Sequence, residues 1–157
     1  MSDLEDFLAQ TVEQHAMATT GVRNGDATSL IAMLSTRDPV TLFPGTQPSQ
    51  SGRAEVSRAF CRVASLYSSS TPVTFEVVAA GVSGDLAYLV GYESASSAID
   101  GGPEQPLTLR VTQVYRREDG KWMLVHRHAD PGPGGDPAMD HLRAAMRGLV
   151  GDTPNDR

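Results

Sequence analysis

Apolar residues recur at helical spacing through the first part of this 157-residue chain and alternate through much of the second. Leu4, Phe7, Leu8, Thr11, Val12, His15, Thr19 and Val22 fall on one stripe of a long helix. Ser2-Asp3-Leu4-Glu5 opens that helix as a capping box, the serine capping forward and the glutamate reaching back. Asn24-Gly25 ends it, and Asp26 caps a short second helix that reaches Leu34 and carries Leu30, Ile31 and Met33. Residues 40–43 read as a short strand and residues 44–52 as a loop rich in Gly, Pro, Ser and Gln. Val56, Phe60, Val63 and Tyr67 then space a third helix over 53–68, which Ser68-Ser69-Ser70-Thr71-Pro72 breaks.

From there the period changes to two. Strands are expected over 73–82, 86–96, 107–117 and 122–130, with turns at Ser83-Gly84-Asp85 and Glu118-Asp119-Gly120 and a longer link from Ile99 to Pro103. Helices first and hairpin-connected strands after make an α+β domain over residues 1–130. Pro131-Gly132-Pro133-Gly134-Gly135 is a linker that neither continues a ladder nor starts a helix. Asp136 caps a C-terminal helix over 136–150, with Pro137 at its first position and Met139, Leu142, Met146 and Leu149 as its apolar stripe. Residues 151–157 read as a frayed tail. The sequence contains no internal repeat.

The last hairpin carries the densest chemistry. If Arg116 faces Trp122, the register sets Thr112 opposite His126 and Arg110 opposite His128. Alternation then puts Arg110, Thr112, Trp122, Leu124, His126, His128 and Asp130 on one inward face, apolar near the turn and ionisable at the far end. Arg110 offers a fork for a carboxylate or carbonyl oxygen, and a histidine there titrates near neutral pH. His126, His128 and Asp130 also stand at a spacing that chelates metal, but Arg110 beside them repels a cation. A hydrogen-bonded patch is therefore expected, with no metal and no cofactor.

The expected pocket is lined by Phe43, Glu93, Arg110, Thr112, His126, His128 and Asp130. In it Arg110 fixes an oxygen, His128 moves a proton, and Asp130 or Glu93 orients the imidazole or balances the arginine. His15, alone on an apolar helical stripe, reads first as a hydrogen-bonded core residue.

HRHAD closes a strand that begins GKW, and LRVTQVYRR precedes it. With NGDATSLIAMLS, DPVTLFPG, SGRAEVSRAF and VAAGVSGDLAYLVGYE in order upstream, the chain resembles the SnoaL-like, ketosteroid-isomerase-related branch of the NTF2-like superfamily. The resemblance implies a cone, a curved and mostly antiparallel sheet wrapped round three N-terminal helices with a pocket between them. It also implies chemistry of the isomerase, hydrolase or dehydratase type, or a binding or oligomerising role without catalysis, as in the association module of a calcium/calmodulin-dependent kinase. True ketosteroid isomerases carry an aspartate base where Phe43 stands and a tyrosine donor near the position of Ala18. Neither replacement moves protons, so the chain lacks that steroid-isomerising mechanism.

Charge and composition narrow the partners. A net charge of -6 argues against nucleic acid and anionic membranes. The single cysteine, Cys61, excludes an internal disulfide and suits a reducing compartment. With no signal-like N-terminus, a cytoplasmic location is expected. A homodimer through the outer sheet face and a small organic ligand are the expected partners. Whether the protein is an enzyme stays open at this point.

Overall fold

The structure of the protein, a computed structural model, describes residues 1–150; the expected frayed tail lies outside the described residues. Helix α1 (Asp3–Arg23) is followed by α2 (Thr28–Met33), β1 (Thr41–Pro44), β2 (Gln50–Ser51) and α3 (Arg53–Ala64). Strands β3 (Tyr67–Ser70), β4 (Thr74–Ser83), β5 (Leu86–Ile99), β6 (Glu104–Glu118) and β7 (Lys121–Asp130) come next, and α4 (Pro137–Val150) ends the described chain. The strands form one seven-stranded sheet in the order β2-β1-β7-β6-β5-β3, with β4 also paired to β5. Only β1 and β7 run parallel, so the sheet is mixed but mostly antiparallel. Among the described residues no helix is long and apolar enough to cross a membrane.

Local chemistry sets the element ends. Ser2 and Glu5 form the capping box, with Glu5 N donating to Ser2 Oγ at 3.1 Å and Ser2 N donating to the Glu5 carboxylate at 2.7 Å. Asp26 Oδ1 accepts from Thr28 N at 2.9 Å and so steadies the start of α2. The third helix stops at Ala64, four residues short of expectation. Tyr67 pairs with Ile99 in the sheet and buries its ring, and β3 gives that end of β5 a partner.

Phe7, Val22, Leu30 and Phe60 of the helices pack with Leu89, Leu107, Val111, Tyr115 and Leu124 of the sheet in one core. Phe7 anchors it edge-on to two rings, with centroids 5.3 Å from Tyr115 and 5.2 Å from Trp122. Cys61 is exposed on α3.

The register of the last hairpin corrects the sequence expectation. Asp119 and Gly120 both take positive φ, 50° and 78°, and form a two-residue turn that pairs Glu118 with Lys121 and Arg117, not Arg116, with Trp122. Tyr115 then faces Leu124, but Val114 faces His126, which leaves Val125 as a β-bulge. The bulge reverses the alternation along β7. Trp122 and Leu124 point inward before it, and Arg127 and Ala129 point inward after it. On β6 the inward residues are the odd ones: Leu107, Leu109, Val111, Gln113 and Tyr115.

Gly91 marks a close approach on β5. A Cβ there would lie 2.1 Å from the carbonyl oxygen of Glu76 and 2.7 Å from the Phe75 ring, at the irregular pairing between Val77 and Ala79. Gly91→Ala is expected to cost about 1–3 kcal/mol of unfolding free energy, because backbone must shift to admit one methyl group. Gly135→Ala, with nothing within 4 Å of the added carbon, is the matched control and should stay within about 0.5 kcal/mol of the parent. Urea unfolding of the two variants checks the difference.

Candidate functional site

The inward face of the sheet holds a buried charged cluster. Glu93 on β5 accepts from Arg127 on β7 through both oxygens, Nη1 to Oε2 at 2.6 Å and Nη2 to Oε1 at 2.9 Å. This is the parallel fork geometry that makes an arginine–carboxylate pair strong. His15 on α1 places Nε2 2.5 Å from Glu93 Oε2 and Nδ1 2.7 Å from Gln113 Oε1 on β6. Tyr115 donates its hydroxyl to the same Gln113 oxygen at 2.5 Å. Glu93, His15 and Gln113 are almost wholly excluded from solvent.

Burial alone would raise the Glu93 pKa, but the charges of Arg127 and His15 and their hydrogen bonds outweigh it and hold the carboxyl well below its usual range. Burial works against the Arg127 cation in the same way, and Glu93 overcomes it, so the guanidinium is held above its ordinary pKa. Burial pushes the Tyr115 and Tyr67 hydroxyls up, so both remain protonated donors.

Arg23, at the last turn of α1, is the second buried guanidinium, and it is held differently. It donates to the backbone oxygens of Leu107 at 3.0 Å and Glu93 at 3.4 Å and to Ser97 Oγ at 3.4 Å. Among the described residues no carboxylate pairs with it. Beside these groups lies a cavity of about 70 Å³. Arg23, Glu93, Arg127, Thr19 and Tyr67 form its polar wall; Leu42, Phe60, Val63 and Leu109 are among its apolar lining.

The expected pocket divides between the two faces of the sheet. Glu93 lies inside. Arg110, Thr112, His126, His128 and Asp130 are turned to the outer face, because the two-residue turn and the Val125 bulge invert the assumed register. Phe43 is also outside, 46% exposed, and its ring meets those of His126 and His128 edge-on at 5.1 and 5.8 Å. Leu42, paired with Arg127 on the neighbouring strand, supplies the apolar wall assigned to Phe43. Arg110 stands opposite Asp130 rather than His128.

The displaced residues still gather. Arg110 Nε donates to Asp130 Oδ1 at 2.7 Å, and His128 Nε2 lies 3.3 Å from Asp130 Oδ2. Arg110, Thr112, His128 and Asp130 border an open outer hollow with Tyr92 and Val78. With the Arg110 and His128 side chains 54% and 50% exposed, water screens these pairs, and they hold much less than the inner cluster does. Burial, and then the neighbouring charge of His128, lowers the His126 pKa.

Sequence reasoning missed Arg23 and Arg127, whereas His15 is the hydrogen-bonded core residue expected. The signal available was Asp119-Gly120, a dipeptide that favours a two-residue hairpin turn and by itself would have put Gln113 and Tyr115 inside.

Glu93→Gln is expected to lower the unfolding free energy by about 3–5 kcal/mol, because Arg127 stays buried without its counter-charge. Since the folded pKa of Glu93 lies well below 4.5, its stabilising effect is complete above that value and is lost as the pH falls below it. The variant should therefore lose less stability than the parent between neutral pH and pH values below 4.5. Denaturation midpoints at several acidities test both effects.

Comparison with known proteins agrees with this architecture. A family model for the SnoaL-like domain matches residues 11–130. An NTF2-like family protein from Streptomyces avermitilis, assigned provisionally as a dehydratase, superposes with a TM-score of 0.69 at 22% identity, covering 83% of this chain and 99% of its own. A ketosteroid isomerase-like protein from Erwinia carotovora atroseptica gives 0.65 at 18% identity, covering 81% of this chain and 97% of its own. A protein from Thiobacillus denitrificans, assigned provisionally as a calcium/calmodulin-dependent protein kinase type II association domain, gives 0.62 at 19% identity, with 80% and 93% covered. Among curated proteins none matches the chain.

Proposed function

This chain belongs to the SnoaL-like domain family, and on that premise we propose that it binds a small organic carboxylate inside the NTF2-like cone. One observation carries the reading: two buried guanidiniums, Arg23 and Arg127, line the cavity with a single carboxylate, Glu93, between them. Even with His15 neutral, the site holds one positive charge more than it balances. Arg23 makes up the difference with backbone and hydroxyl dipoles only. An uncompensated charge in a low-dielectric site is costly, and an anion entering the cavity relieves that cost. Tyr67, a protonated donor on the same wall, suits a second oxygen of the ligand.

The same geometry favours binding over proton transfer. Glu93 is the ionised group nearest a general base, but Arg127 and His15 already occupy its oxygens and depress its basicity. His15 has both ring nitrogens engaged, one by Glu93 and one by Gln113.

A homodimer through the outer sheet face accompanies this reading. Val78, Leu86, Tyr88 and Tyr92 are 41–59% exposed on β4 and β5, and Phe43 adds a ring beside His128. Apolar groups exposed on one sheet face suit a second copy of the same surface. The C-terminal helix docks on its own chain and buries Ala138, Met139, Leu142 and Met146 there.

Titration with propanoate and with propanamide, followed by protein amide shifts in NMR, tests the pocket. The carboxylate should bind at least about tenfold more tightly than the neutral amide, since a hydrogen bond to a charged group contributes about 1.5–3 kcal/mol. Arg23→Met should erase that preference. Equal affinity for acid and amide would sink the reading. Sedimentation of a Tyr88→Glu/Tyr92→Glu variant should give a monomer where the parent gives a dimer.

A further inference from the structure

The family match ends at residue 130, yet part of the cavity wall comes from beyond it. Helix α4 places Met139 and Leu142 in the lining, and these side chains, with Ala138 and Met146, are only 1–2% exposed. The seat of α4 is itself part of the pocket. Pro44, Gly45, Thr46 and Gln47 line the cavity, and Gly45 is where the helix touches down: its carbonyl accepts from Arg143 Nε at 2.9 Å, and a Cβ on it would lie 3.6 Å from Met139 Cε. At the other side of the helix His141 Nδ1 lies 3.2 Å from Gln105 Nε2 on β6.

The polar and apolar walls thus have separate origins. The arginines and Glu93 come from the helix and sheet of the family domain, and α4 adds two flexible apolar side chains to the wall. The space between the walls is about 70 Å³, so a ligand chain of more than a few carbons presses on Met139 and Leu142.

We propose that Met139 and Leu142 are specificity-determining residues that limit the ligand to carboxylates of about two to four carbons. This rests on the carboxylate reading of the pocket and adds to it a size limit that α4 imposes. Methionine is apt for such a wall, because its unbranched thioether fills irregular space without a fixed shape.

The test is a series of straight-chain carboxylates from acetate to octanoate, titrated into the full chain and three variants at constant ionic strength. In the parent, affinity should fall about tenfold or more between butanoate and hexanoate, as overpacking costs of this size imply. Met139→Ala and Leu142→Ala should each move the fall to longer chains by about two carbons.

Leu142→Phe should move it the other way, toward acetate and propanoate. Undocking of the helix enlarges the pocket and cannot produce that shortening. If carboxylates bind but the chain-length profile is the same in all four proteins, the inference fails and the pocket reading stands. Should no carboxylate bind the parent, both are overturned.

Discussion

The buried pairing of Glu93 with Arg127 is the constraint on which this fold turns. Neither charge is tolerable alone in a site without water, so β5 and β7 must lie at a separation and register that let the fork close at 2.6 and 2.9 Å. β6 runs between those strands: its Leu109 pairs with Glu93, and its inward Gln113 pairs with Arg127 and reaches His15 on α1. One helix and two strands therefore meet at a single carboxylate, and β6 joins them through His15. A core of leucines alone would admit several depths and rotations for α1. The short contact from His15 to Glu93, with the His15 ring packed 4.6 Å from Phe75, selects one of them.

That pairing is possible because the chain breaks the regular alternation of β7. Without the Val125 bulge, the inward sequence from Trp122 would continue through His126 and His128, and Arg127 would point outward. With it, the hairpin keeps Trp122 and Leu124 in the core near the turn and still sends Arg127 inward at the far end. One extra residue decides which chemistry enters the cone.

This explains what the sequence disclosed and what it hid. Element type follows from local information: the Ser2–Glu5 cap, the stripe through Phe7 and His15, the Gly-Pro linker at 131–135 and the start of α4 at Pro137 each depend on residues close in sequence. So does the turn at Asp119-Gly120, which was legible and points to the inward set on β6. The bulge has no comparable signature. Val125 is an ordinary strand residue, and only the demand for Arg127 opposite Glu93, a contact 34 residues apart, shows why the ladder slips there. Apolar content gave little help, since both alternations of WMLVHRHAD contain good core residues near the turn. The histidines drew notice as titratable groups, whereas Arg127 between them looked like a solvated charge. Burial, which sequence does not print, is what separates the two.

The consequence for function is a separation of tasks along the chain. In the proposed reading, charge recognition sits on α1, β5 and β7, inside the segment that matches the SnoaL-like family, and is bound up with stability because Glu93 and Arg127 also hold the sheet together. Size selection, in the reading developed above, sits on α4, beyond residue 130 and joined through a linker that carries Gly132 and Gly134 at positive φ. Substitutions in α4 can reshape the apolar wall without leaving a buried charge unpaired, so ligand preference can vary there at a cost in packing alone. The charged wall has no such freedom. An anion that enters beside Arg23 and binds only the folded state would also stabilise the cone, by an amount that grows with the logarithm of its concentration above Kd. A relative that keeps the two arginines and the glutamate but ends before α4 would then share the taste for an anion and lack the limit on its length.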